Sequence, residues 1–135
     1  EDLWHGEKVE AVAGIDARGF IIGGALALQM KLPFVVLRKK GKLPYMTVSE
    51  EYDLEYGKAS LEIHNDAISK GTSVLVVDDL IATGGTAIAG VNLIKAIGGN
   101  IVGCGFIIDL PDLGGAKKLE GLGVKVKSLM AFEGE

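Results

Sequence analysis

Val74-Leu75-Val76-Val77-Asp78-Asp79-Leu80-Ile81-Ala82-Thr83-Gly84-Gly85-Thr86 is the stretch that decides the fold. Its first residues, with Ser73 before them, form a continuous Val-rich run suited to a central parallel strand buried on both faces. Two acids end that run, and a small Gly-rich turn leads into a helix starting at Thr86. Ala82, Gly84 and Gly85 leave backbone N–H groups unobstructed, and Thr83 and Thr86 add hydroxyl donors. The helix N-terminus contributes its dipole and free N–H groups, so the turn suits a phosphomonoester. No Gly-Lys-Ser/Thr follows, which excludes a Walker A loop. Gly84-Gly85 also lacks the G-x-G-x-x-G spacing of a dinucleotide site. Asp78 and Asp79 lie within reach of whatever carries the phosphate, and adjacent carboxylates suit hydroxyl groups. A ribose 5-phosphate fits both halves. A plain strand–helix turn with a capping Thr would need neither the paired acids nor the double Gly.

Outward from this unit, strand-like and helix-like segments alternate. Residues 9–15 read as a strand, 19–30 as a buried helix despite Gly23-Gly24, and 33–37 as a second strand. Phe20, Ile21 and Ile22 fall to the core on this reading. Residues 38–60 break the rhythm: a basic, punctuated run precedes an acidic, aromatic one with no burial pattern, as in functional or mobile insertions. Residues 59–63 alternate like a short antiparallel strand. A helix is expected over 86–97, ended by Gly98-Gly99, then a strand over 100–110, a short helix over 113–122 and a last strand over 124–129. The order describes an α/β fold, with a Rossmann-like open, mostly parallel sheet flanked by helices. Ligand sites then lie beyond the carboxyl ends of the strands.

The chain has 135 residues, which suits one domain over 1–135. With 48% hydrophobic and 24% charged residues it is not a disordered sequence. A net charge of −4 is no footprint for nucleic acid. No apolar run approaches the ~18 residues of a membrane span, and the first residues lack the plan of a signal peptide. Cys104 has no second cysteine to pair with, which fits a reducing compartment and a cytoplasmic protein. It sits in an apolar strand as a small buried hydrophobe. No cluster of His and Asp suggests a protein-built metal site.

The 13 residues from Val74 to Thr86 resemble the phosphoribosyl pyrophosphate motif of the type I phosphoribosyltransferases. Three further segments resemble the adenine-specific branch of that family, in the family's order. They are Gly14-Ile15-Asp16-Ala17-Arg18-Gly19-Phe20, Arg38-Lys39-Lys40-Gly41-Lys42-Leu43-Pro44 and Tyr52-Asp53-Leu54-Glu55-Tyr56-Gly57-Lys58. The resemblance runs from about residue 9 to the C-terminus. It implies the type I fold, with a flexible catalytic loop over about 39–60. It also implies transfer of a phosphoribosyl group to a purine, release of pyrophosphate, use of Mg2+, and a homodimer.

Roles follow residue by residue from that resemblance. Asp78 and Asp79 would hold the ribose hydroxyls, and Ala82, Thr83, Gly84, Gly85 and Thr86 the 5-phosphate. Arg18, Arg38, Lys39 and Lys42 would hold pyrophosphate, for which Arg offers planar bidentate donors. Arg18 is also counted with the catalytic groups, and Ala17–Arg18 is the expected site of a non-proline cis peptide. Glu55 would be the acid that assists the purine ring nitrogen, with Tyr52 and Tyr56 excluding water. Leu80 or Ile81 would line the base pocket. Mg2+ would be held mainly by phosphoribosyl pyrophosphate and water.

Two alternatives remain at this point: another purine base (hypoxanthine, guanine or xanthine), and a non-catalytic regulator that senses phosphoribosyl pyrophosphate. Family members also carry several dozen residues before the Gly14 segment, including a hood over the base, whereas 13 residues precede Gly14 here. The expectation is therefore a core without its hood, turning over adenine poorly.

Overall fold

A computed structural model describes residues 4, 6–39, 47–54, 57–64 and 66–132. Among them, seven strands form one sheet: β1 (Ala11–Ile15), β2 (Phe34–Lys39), β3 (Thr47–Leu54), β4 (Gly57–His64), β5 (Ser73–Ile81), β6 (Asn100–Asp109) and β7 (Val126–Ala131). The helices are α1 (Arg18–Met30), α2 (Gly85–Ala96) and α3 (Gly115–Gly121). The strand order is β3-β4-β2-β1-β5-β6-β7. All pairs from β2 to β7 are parallel, while β4 runs antiparallel to both β2 and β3. The expected mostly parallel sheet with an antiparallel insertion is therefore present.

The two-residue period of the strands builds a core on each face. Ala11, Ala13, Ile15, Val74 and Val76 point into one cluster, which takes Val91, Leu93 and Ile94 from α2 and Leu119 from α3. Val12, Leu75 and Val77 point into the other, with Trp4 and Ala27 of α1. Continuous apolar runs in β1 and β5 follow from burial on both faces. Cys104 is buried in the first cluster and unpaired. Burial pushes its thiol pKa up to about 12.

Four expectations need correction. Ile21 is not core: it is 78% exposed, because α1 turns its small residues Gly19, Gly23 and Ala27 to the sheet. A Cβ at Gly23 would sit 2.6 Å from the Phe34 ring, so the helix lies too close for a larger side chain there. Residues 47–54 are not irregular but form β3. It is the outermost strand, paired on one side only, and lacks the continuous apolar run of the central strands. Arg38 and Lys39 are not in a loop; they extend β2 and pair with Glu62 and Leu61 of β4. Finally, β5 does not stop at the acids. Asp78, Leu80 and Ile81 pair with Phe106, Ile108 and Asp109, so the ladder outlasts the apolar run and ends only at Ile81.

Candidate active site

Because β1, β2, β5 and β6 are parallel, their carboxyl ends share one edge of the sheet. The turn after β5 and the start of α1 after β1 meet there. Together Arg18 and residues 78–87 line a cavity of about 210 Å³.

The turn is built to leave donors free. Gly84 adopts φ 91°, a left-handed conformation that L side chains rarely take, and no side chain caps α2. The first helical bond runs from the Ile88 N–H to the Gly84 carbonyl. Among the described residues, the N–H groups of Thr83, Gly84 and Gly85 donate to no backbone carbonyl. The first turn of α2 carries no acid. Unpaired N–H groups at a helix start, with no competing carboxylate, are what an anion needs. Thr83 and Thr86 are thus not spent on capping.

The acid pair lines the same cavity. The Asp79 N–H donates to Asp78 Oδ1 at 2.8 Å. Arg18 Nε lies 2.9 Å from Asp79 Oδ2. Burial pushes the Asp78 carboxyl up to about 7, and the Asp79 side chain adds to the rise, against the Asp79 N–H and the Arg18 charge. A carboxyl that titrates near neutrality can both accept from and donate to a hydroxyl. Arg18 is itself 78% exposed, so its guanidinium is open to an incoming anion.

A second cluster stands next to the first, at the ends of β1 and β2. Arg38 Nε is 3.6 Å from Asp16 Oδ2, and its guanidinium lies 5.6 Å from the Phe20 ring centre. The Lys39 N–H donates to Asp16 at 3.3 Å. Arg38 and Lys39 are therefore fixed at the site's edge but do not line the cavity with Arg18. The cis peptide is Asp16–Ala17, one bond before the expected Ala17–Arg18. Arg18 is already the first residue of α1, so the turn that reorients the chain is complete before it.

Leu80 and Ile81 both border the cavity, but Leu80 is 36% exposed whereas Ile81 is 2% exposed and packs in the core. Of the two, Leu80 is available to a ligand. Lys42 and Glu55 lie outside the described residues.

Sequence reading missed two contributors. Asp16 anchors the basic strand end, and its signal was present: an acid directly after an apolar strand, as at Asp78. Gly115, the first residue of α3, donates its N–H to the Ala82 carbonyl of the turn after β5, and in the sequence only the Gly114-Gly115 pair marks it.

Known proteins share this sequence and fold. The family model described as phosphoribosyl transferase domain matches residues 2–126. An adenine phosphoribosyltransferase of Ruegeria pomeroyi is 59% identical over 131 residues, covering 97% of this chain and 73% of the relative. The crystal structure of the adenine phosphoribosyltransferase from Thermoanaerobacter pseudethanolicus superposes with a TM-score of 0.93 at 45% identity, covering 97% of this chain and 75% of that one. The Saccharomyces cerevisiae enzyme, solved with adenine and an imino-altritol bisphosphate, gives 0.88 at 37% identity over 96% of this chain and 72% of its own.

Proposed function

From its membership of the adenine phosphoribosyltransferase family, to which the chain belongs, we infer the reaction and the part each residue plays in it. The chain is a purine-salvage enzyme. It transfers the 5-phosphoribosyl group from phosphoribosyl pyrophosphate to adenine, giving AMP and pyrophosphate. The bond from ribose C1 to pyrophosphate oxygen breaks, a bond from C1 to a purine ring nitrogen forms, and the proton on that nitrogen is lost. The observation that carries the site assignment is the cavity where free N–H groups, an acid pair and Arg18 converge.

The 5-phosphate sits on the N–H groups and hydroxyls of residues 82–86, which holds C1 at a fixed distance. Asp78 and Asp79 take the ribose hydroxyls. They also bring negative charge near a sugar that becomes cationic as pyrophosphate departs. Arg18 exchanges part of its Asp79 contact for pyrophosphate oxygens, with Arg38, Lys39 and Lys42 as further counter-charge. Glu55 holds the proton at the purine ring nitrogen, and Leu80 meets the base. The insertion after Lys39, up to about residue 60 and including β3 and the start of β4, serves as the catalytic segment of a single domain spanning 1–135.

Mg2+ fits this chamber. Asp78 and Asp79 offer hard oxygen donors, and no group of three or more His, Cys, Asp or Glu gathers among the described residues. Substrate oxygens and water would complete its shell, in keeping with its reluctance to dehydrate. When bound, it neutralises charge on the leaving pyrophosphate.

The enzyme works as a homodimer, a reading supported by Ile21 and Leu28, which lie 78% and 81% exposed on α1. Sedimentation as a monomer at micromolar concentration would rule this out. The buried thiol of Cys104 supports a reducing, cytoplasmic setting, which cell fractionation checks.

The function is tested by measuring pyrophosphate release with adenine, hypoxanthine, guanine and no base. Release should require adenine. Equal release with guanine would refute the base assignment, and binding without turnover on any base would make the protein a sensor.

A further inference from the structure

The seam between the phosphate turn and α3 has no part in the reaction as described so far. The Gly115 N–H donates to the Ala82 carbonyl at 2.9 Å. In a trans peptide the N–H points opposite to the C=O. Holding the Ala82 carbonyl toward α3 therefore turns the Thr83 N–H away from α3. Thr83 lines the cavity and Gly115 does not, so this bond sets the aim of a phosphate donor from behind.

The seam also leaves no room for a side chain. A Cβ at Gly115 would lie 2.5 Å from the Ala82 carbonyl oxygen, 2.8 Å from the Gly84 nitrogen and 2.8 Å from Ile81 Cγ1. From the other side, a Cβ at Gly84 would lie 2.9 Å from Gly115 Cα. Two of the three atoms facing Gly115 are backbone of the turn itself, so a methyl group there would have to displace the turn.

We propose that Gly115 is a positioning residue of the 5-phosphate site: its bare Cα and its N–H mould the turn at 82–84 into the shape that aims donors at phosphate. The proposal rests on the reading of residues 82–86 as that site. It concerns a residue that touches no substrate and acts only through the turn.

The test compares Gly115→Ala with Gly121→Ala, a control at the far end of α3 where a Cβ would meet nothing within 4 Å. The dissociation constant for ribose 5-phosphate and the KM for phosphoribosyl pyrophosphate should both rise about tenfold or more in Gly115→Ala, because sub-ångström misplacement of binding groups is costly. The KM for adenine and kcat should change much less, and Gly121→Ala should match the unsubstituted protein. A merely structural defect lowers the active fraction, so reduced kcat at unchanged KM would overturn the proposal.

If Gly115→Ala does not fold, amide hydrogen exchange on the unsubstituted protein decides. Ribose 5-phosphate should slow exchange at Gly115 together with the turn at 82–86. Protection of the turn with Gly115 unchanged would overturn the proposal alone. Protection elsewhere, with the turn unchanged, would overturn the phosphate-site reading and the proposal with it.

Discussion

Replacing Asp78 with Asn should make the protein more stable and a poorer binder at once. Burial and the neighbouring Asp79 raise the Asp78 carboxyl from 3.8 to about 7. Below pH 3.8 both folded and unfolded chains hold the proton. Between there and about 7 only the folded chain keeps it, so stability falls as pH rises through that window. Above it both forms are ionised and the deficit is constant. The shift corresponds to about 4 kcal/mol over the whole window, with roughly 60% of it between pH 5 and pH 8. Asn carries no charge to desolvate, yet its Oδ1 still accepts the Asp79 N–H that Asp78 accepts at 2.8 Å. Urea unfolding of both proteins at pH 5, 6, 7 and 8 reads the effect. The stability advantage of Asp78→Asn should grow by about 3 kcal/mol from pH 5 to pH 8, at unchanged m-value. The loss of affinity for phosphoribosyl pyrophosphate should grow over the same series, since only an ionised Asp78 gives the ribose an anionic partner to lose. A gap that does not vary with pH, or a variant less stable at pH 8, would refute the reasoning.

Arg18→Lys should raise the KM for phosphoribosyl pyrophosphate by about tenfold, because an ammonium lacks the bidentate fork. The same change should move the unfolding free energy by less than about 1 kcal/mol, since the Asp79 pair is exposed on the Arg side. Glu55→Gln should lower kcat by about 10²–10⁴-fold with little change in affinity for phosphoribosyl pyrophosphate, as single-turnover kinetics would read; full turnover would remove its proton role. Ile81→Ala should cost about 2–5 kcal/mol in urea unfolding, whereas Leu80→Ala should cost far less and raise the KM for adenine. Native Cys104 should resist iodoacetamide at pH 8, because its thiol is buried and titrates at about 12; rapid alkylation would contradict that environment.

The sequence is most readable where local chemistry and tertiary role coincide. The run from Val74 to Thr86 announces strand, acids, turn and helix in order, because a doubly buried strand must be apolar and an anion cradle must be small and unobstructed. The edge strand β3 is silent, since it pairs on one side only and needs no continuous apolar run. The extent of β5 is hidden because ladder bonds to β6 continue through Asp78 and Leu80 whatever their side chains. In α1 the apolar residues mislead: Ile21 faces outward because close approach to the sheet demands Gly19 and Gly23 inside. Gly115 is out of reach because it acts through a contact with a turn far from it in sequence.

The most direct test is a crystal structure with phosphoribosyl pyrophosphate and Mg2+. The 5-phosphate should lie on the N–H groups of residues 82–86, the ribose hydroxyls against Asp78 and Asp79, and pyrophosphate beside Arg18. A 5-phosphate bound away from the turn after β5 would contradict the account.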